Sequence, residues 1–260
     1  MLESRFVPPL FFSGIECEKK LLRLRVHKSA GGIGEALSNY AMDIGADLLV
    51  IASHGAGVYA DYGSVARWCS ENSPIPTMLL PPAVLSAETN QFNTANSVVV
   101  AAADDLKGLK TSFDYALTDL TGPGDGIYVI HAISGKNEEE MVDARKTIAT
   151  EVMKWQEESP ASHAMTLNVA VQLITSPASD MEQLTVASIT QEDELEPDFS
   201  PAGVELFDTI QQVNSRTMVL AHHGHSVMRE MVYKPLTLHC MRHCPRPLIV
   251  LSPTKDAFGY

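Results

Sequence analysis

Short runs of apolar residues alternate along this chain with longer segments in which apolar residues recur at steps of three and four. The runs at residues 48–52 and 217–221 each lead into polar residues and a glycine, which is typical of buried parallel strands that enter a loop. The segments at residues 34–44 and 202–213 have the periodicity of helices packed on a sheet. This alternation predicts an α/β fold, with a parallel sheet covered by helices on both faces.

The strand pattern occurs twice. Residues 46–55 (Ala-Asp-Leu-Leu-Val-Ile-Ala-Ser-His-Gly) align with residues 215–224 (Ser-Arg-Thr-Met-Val-Leu-Ala-His-His-Gly). Farther on, Thr77–Leu80 and Leu248–Leu251 are both opened and closed by proline. Because proline cannot donate to a ladder hydrogen bond, these two strands are predicted to lie at sheet edges. The chain therefore contains two copies of one α/β unit.

The two copies differ in length. In the second, strands are predicted at residues 97–103, 127–133 and 167–175, with helices at 110–120 and 137–157. In the first, only a candidate strand at 21–27 precedes the helix, and the glycines of Ala30-Gly31-Gly32-Ile33-Gly34 are interpreted as a turn that leads into it. We therefore predict a partial domain at residues 1–82, a linker at 83–95 and a complete domain at 96–254.

An acidic insertion at residues 179–200 interrupts the second copy before its next helix. A charge run of this kind is usually a solvated loop, and a regulatory or partner-binding loop is the alternative.

Charge and cysteine content narrow the classes of partner and compartment. The chain has 19 Lys and Arg against 32 Asp and Glu, a formal net charge of −13. Nucleic acid and anionic membrane surfaces are therefore not expected as partners, because binding to either needs Lys or Arg to neutralise charge. Four cysteines form no disulfide framework, so a reducing compartment such as the cytosol is predicted. Cys69 and Cys240 occupy the same place in the two copies and are interpreted as small buried hydrophobic residues.

Histidines and cysteines near the C-terminus have the residue types of a zinc site. They are His222, His223, His225, His239, Cys240, His243 and Cys244. Roughly ten helical residues, or about 15 Å, separate the first group from the second, which is too far for one coordination shell. We therefore predict no metal site.

The repeated residues resemble the universal stress protein family. The resemblance implies the adenine nucleotide alpha hydrolase-like fold, an open parallel sheet of five strands in the order 3-2-1-4-5 with helices on both faces. It also implies a loop Gly-x2-Gly-x9-Gly-Ser/Thr after the fourth strand, which holds ATP in some members. The fifth strand of this family pairs two units, which implies association through Thr77–Leu80 and Leu248–Leu251, within the chain or with another chain.

The resemblance also implies candidate residues for ATP or AMP binding. In the second copy they are Asp104, Ala132 and Ile133 on the adenine side, and His222, Gly224 and Lys234 in the loop. In the first copy they are Ser53, His54, Gly55, Gly63 and Ser64, without the two strands that build the adenine side. Lys234-Pro235 stands where the family has Gly-Ser, and proline removes one N–H donor from a phosphate cradle.

The predicted function is a non-enzymatic module of the universal stress type. It would act in a stress response by pairing and by adenine nucleotide binding. One alternative is an ATP hydrolase or transferase that uses Asp104 with His222 or His223, and another is a structural subunit with inert pockets. The truncation also predicts that the strand at 48–52 pairs on one side only and leaves apolar surface exposed.

Overall fold

The computed structural model describes residues 16–18, 20–22, 29–52, 63–81, 97–103, 106–122, 124–134, 138–159, 168–176, 201–213, 215–221, 240–241 and 244–251. The strands are β1 (Leu49–Ala52), β2 (Thr77–Leu80), β3 (Ser97–Ala103), β4 (Gly126–Ser134), β5 (Asn168–Ser176), β6 (Thr217–Ala221) and β7 (Leu248–Leu251). The helices are α1 (Ala30–Asp43), α2 (Ser64–Asn72), α3 (Leu106–Tyr115), α4 (Glu138–Glu158) and α5 (Pro201–Gln212), and α3 continues into a π-helical turn at Ala116–Leu120.

The seven strands form one sheet in the order β1-β2-β7-β6-β3-β4-β5. Neighbouring strands are parallel except β2 and β7, which are antiparallel with Leu79 opposite Leu248. The predicted α/β class, with a mostly parallel sheet flanked by helices, is confirmed. The second copy contributes β3 to β7. If these five strands are numbered 1 to 5 in chain order, their order in the sheet is 3-2-1-4-5. The two predicted edge strands pair with each other, so the partial and complete units share one mixed sheet instead of forming separate open sheets.

Side chains that alternate along the strands build a hydrophobic core on each face of the sheet. Met218 and Leu220 pack on one face with Leu206 and Ile210 of α5, which we call the α5 face. Their neighbours in β6 pack on the other, the α3 face, which α3 and α4 cover with the following buried side chains: Leu109, Phe113, Ile148, Val152 and Trp155. Both faces of β6 are buried, as the continuous apolar run predicts.

Helix α1 begins earlier than the sequence predicts. Ser29 caps it by accepting a hydrogen bond from the Gly32 N–H at 3.1 Å, so the predicted turn at residues 30–34 is wrong and these residues are the first turns of the helix. Trp68 of α2 packs against Gly31 and Gly34. A Cβ on Gly34 would lie 2.3 Å from Trp68 Cε3.

Other helix and strand boundaries also differ from those that the sequence predicts. Ile44, the last residue of the segment at 34–44 whose periodicity predicts packing on a sheet, is 60% exposed because it lies just past the last helical residue. The helix predicted at 110–120 starts at Leu106, and its last five residues are the π-helical turn. Leu21 and Leu22 have no strand structure, and the rest of the candidate strand at 21–27 lies outside the described residues, as do the linker at 83–95 and the insertion at 179–200.

A polar cluster ties the amino ends of β4 and β6 together. Asp125 Oδ2 accepts hydrogen bonds from the Gly122 N–H at 2.8 Å and from Arg216 Nη2 at 3.2 Å. Arg216 also donates to the Leu120 carbonyl. Gly124 has φ +87°, a conformation that favours glycine, which lets the chain turn directly before Asp125. The π-helical turn is thereby fixed against the start of both strands.

Among the described residues, none of the helices combines the length and the apolar character that a membrane crossing requires.

Candidate functional site

The order of the strands reverses at β3. From β3 the chain moves outward to β4 and β5 on one side, and then returns to β6 and β7 on the other. Ligands of open parallel sheets bind beyond the carboxyl ends of the strands at such a reversal, because the loops diverge there and leave a crevice. The candidate site is therefore the carboxyl edge between β3 and β6.

The strands bring the second-copy candidates toward this edge. Ala132 of β4 pairs with Ala103, the last residue of β3. Ile133, the next residue of β4, pairs with Thr175 of β5. Ala101 of β3 is level with Leu220 of β6, so both strands end at nearly the same height. The chain therefore leaves β3 and β6 at the same edge, directly before Asp104 and His222 in the sequence. Asp104, His222, Gly224 and Lys234 themselves lie outside the described residues.

The first-copy candidates have a different surrounding. Gly63 is the N-cap of α2 and accepts the Arg67 N–H at 2.9 Å through its carbonyl, and Ser64 is the exposed first residue of the helix. Ser53, His54 and Gly55 lie outside the described residues. Within the described part of the chain, β1 has β2 on one side and no strand on the other. The wall that β3 and β4 form in the second copy thus has no described counterpart here.

One polar residue close to the candidate site escaped the sequence analysis. His131 is a buried residue of β4, level with Ala102 of β3 and Leu173 of β5. It directly precedes the candidate Ala132. A histidine within the otherwise apolar run Ile-Tyr-Val-Ile-His-Ala-Ile was the signal that could have identified it.

Burial disfavours the thiolate form of three cysteines. Burial raises the pKa of the Cys69 thiol and raises the pKa of Cys240 well above its usual range. Burial also raises the pKa of Cys244 to about 12 against a smaller lowering by Arg246. Because the thiolate is the nucleophile, these three residues are poor candidates for covalent catalysis. Within the described ranges, no group of three or more His, Cys, Asp or Glu residues could hold a metal ion.

This arrangement predicts the thiol reactivity of the native protein. Cys17 is exposed whereas Cys69, Cys240 and Cys244 are buried. We expect one thiol per chain to react rapidly with Ellman's reagent in buffer and all four to react after unfolding in guanidinium chloride. Cys17→Ser should remove the rapid phase. Rapid reaction of a second thiol in the native protein would contradict the burial described here.

An open cavity of about 630 Å³ lies between α4 and strands β4 and β5. Its lining is mostly apolar, with Tyr128, Arg145 and Gln156 as the polar residues. It borders the outer strand β5 and is thus distinct from the carboxyl edge between β3 and β6.

The chain matches no protein-family model, and no curated protein matches it in sequence. Solved structures resemble it. A universal stress protein from Archaeoglobus fulgidus DSM 4304 is 14% identical, with a TM-score of 0.54 over 98% of this chain and 77% of that chain. A Pseudomonas aeruginosa UCBPP-PA14 protein, provisionally named a universal stress protein, is 10% identical, with a TM-score of 0.50 over 98% of this chain and 78% of that chain. An Arabidopsis thaliana protein of the same family, solved with AMP bound, is 12% identical, with a TM-score of 0.36 over 62% of this chain and 94% of that chain.

Proposed function

We propose that this chain, which has the fold of the universal stress proteins, is a non-enzymatic module that binds an adenine nucleotide in its complete second copy and acts in a stress response through association. The observation that carries the nucleotide proposal is the reversal of strand order at β3, with β6 parallel to it. This is the position in open α/β sheets where nucleotides bind.

The residue types at this edge suit such a ligand. The last three residues of β3 are alanines and β6 ends in Ala221, so the strand ends leave room for a flat base. Asp104 can accept hydrogen bonds from ribose hydroxyls, because an ionised carboxylate is an acceptor only. Lys234 and Arg229 supply positive charge in the loop, which offsets the amide donor that Pro235 removes from the phosphate side.

We assign the nucleotide to the second copy alone. The N-terminus of α2, with Gly63 and Ser64, offers backbone N–H donors to a phosphate. However, β1 has no described strand beside it that could support the adenine. Because the first copy would contact the phosphates but not the base, we predict that it binds a nucleotide much more weakly than the second copy.

Self-association through Thr77–Leu80 and Leu248–Leu251 stays a prediction, and the fold limits its form. These strands are hydrogen-bonded to each other within the chain. A second copy would pair with either of them only if the two chains exchanged strands, as in domain swapping.

Calorimetric titration of the full chain with ATP, ADP and AMP tests the nucleotide proposal. We expect binding tighter than about 100 μM, near −5.5 kcal/mol, and a loss of at least about tenfold in Asp104→Asn. Asp114→Asn is the matched control, since it removes one carboxylate from the exposed side of α3. Equal affinity in both variants would remove Asp104 from the site. No heat with any nucleotide would overturn the proposal, and release of phosphate from labelled ATP above the buffer rate would show an enzyme.

A further inference from the structure

Strands β1 and β6 occupy the same position in the two copies but have different neighbours. β6 lies between β3 and β7, and all five of its residues are buried. β1 pairs with β2 alone within the described part of the chain, and its four residues alternate between half-buried and exposed. Val50 is 50% exposed. The first copy thus presents a side of its fourth strand that the second copy covers with β3.

The hydrogen-bonding groups of this open edge follow from the pairing with β2. The Leu49 N–H donates to the Pro76 carbonyl at 2.9 Å, as the Met218 N–H in the second copy donates to the Pro247 carbonyl at 2.9 Å. The peptide groups of successive strand residues point to opposite sides. Leu49 and Ile51 therefore face β2, whereas the N–H and C=O groups of Val50 and Ala52 face the open edge.

The described residues of this edge include none of the charges, prolines or bulges that usually protect an edge strand against strand addition. Natural edge strands are shielded by charged side chains, proline or a bulge. β1 reads Leu-Val-Ile-Ala, without a charge or a proline, and pairs with β2 in an unbroken register. The exposed side chain of Ile44 lies close by in the chain, five residues before β1. An extended peptide can add to such an edge through main-chain hydrogen bonds.

The acidic residues near β1 favour some binding partners of its open edge over others. Asp47 is exposed two residues before β1, and Asp43 is exposed at the end of α1, four residues earlier in the chain. Burial, Asp119 and Asp47 raise the pKa of Tyr115, so the negative charge of Asp47 extends to α3. A second copy of this chain, which also has a net charge of −13, would be repelled. A basic segment would instead be attracted.

We propose that the open edge of β1 binds an extended segment of a partner protein as an additional parallel strand. The segment carries apolar residues at alternate positions and lysine or arginine just before the first of them. Parallel addition, as β3 adds to β6, brings its amino end beside Asp43 and Asp47. This interaction is independent of nucleotide binding, because it uses the first copy and an edge of the sheet that the nucleotide proposal does not involve.

Fluorescence anisotropy with labelled synthetic peptides tests the proposal on the full chain. The probe is Lys-Lys-Ser-Val-Val-Val-Ala-Ala-Ala, which places two lysines before the sequence of β3. The control peptide carries the same lysines after the last alanine. We expect the first peptide to bind about tenfold more tightly than the second, and the difference to shrink in Asp43→Asn/Asp47→Asn and at high salt. Equal or inverted affinities would overturn the parallel orientation and the charge argument.

Val50→Pro tests whether peptide binding uses the main-chain groups on the open edge of β1. It removes the outward N–H and leaves the Leu49 bond to β2 intact, so peptide binding should fall by about tenfold, whereas Val50→Thr, which keeps the N–H, should bind like the parent. N-methylation of alternate peptide residues makes the same test without altering the protein. Binding that survives both changes would overturn the proposal.

Hydrogen exchange of the backbone amides in the free protein tests whether the chain itself or a second copy covers the edge of β1. We expect the Val50 and Ala52 amides to exchange much faster than Val219 and Ala221, their equivalents in β6. Equal protection in a monomer would show that the chain covers its own edge. Protection that rises with protein concentration, together with a dimer in sedimentation, would show a second copy there. Either result overturns the proposal of a separate partner.

Discussion

Leu79→Ala is expected to lower the free energy of unfolding of the whole chain by about 2–5 kcal/mol. Leu79 is 1% exposed and lies opposite Leu248, on the face of the sheet that α2 and α5 cover. Truncation leaves a cavity at the only antiparallel pair among the described strands, where the two copies meet. Because the sheet is continuous there, the variant should still unfold in one transition by circular dichroism in guanidinium chloride.

Leu80→Ala is the matched control for this prediction. It removes the same atoms from the neighbouring residue of β2, which is only half-buried. Its cost should be clearly smaller, since less apolar surface is lost and solvent can fill the space. Equal costs for the two variants, or two separate transitions in the parent protein, would contradict the tight contact between the copies.

Gly34→Ala is expected to lower the free energy of unfolding by about 1–3 kcal/mol. Alanine ordinarily stabilises a helix by about 1 kcal/mol relative to glycine. At this position, however, the new methyl would lie 2.3 Å from Trp68 Cε3 and 2.9 Å from Trp68 Cδ2. The indole must therefore move, which separates α1 from α2. Chemical denaturation measures the cost, and a change in tryptophan emission would report the displaced ring.

Gly31→Ala provides the comparison, because its nearest contact would be Trp68 Nε1 at 3.3 Å. We expect this variant to be close to neutral, since the small adjustment of the ring offsets the gain in helix propensity. The double variant Gly34→Ala/Trp68→Leu should be less destabilised than the two single effects added together. Additive costs would show that the clash does not cause the loss.

The strands were the part of the fold that the sequence predicted best. Thr77–Leu80, Ser97–Ala103 and Leu248–Leu251 have the predicted boundaries, because an apolar run bounded by polar residues or proline is a local signal. The start of α1 was missed because three of its first five residues are glycines, which are poor helix formers. Only Trp68, more than 30 residues away, explains why glycine is required there. Such a contact leaves no periodic trace in the sequence.

The sequence predicted which strand ends form the candidate site. The repeat identified which strands precede Asp104 and His222, and the parallel pairing of β3 with β6 places those ends side by side. The order of the strands came from the resemblance to a family, since hydrophobic patterns do not specify which strands are neighbours. The only signal for His131 was that it is a polar residue in an apolar run, and a single such residue has no spacing that indicates its role.

The antiparallel pairing of β2 with β7 also orients the two copies. β1 runs with β2, and β6 runs with β7, so the carboxyl ends of β1 and β6 lie on opposite rims of the sheet. The chain therefore leaves β1 at one rim and β6 at the other. A ligand bound at one of these rims would not touch a ligand bound at the other, so any sites in the two copies would be separate sites on one molecule.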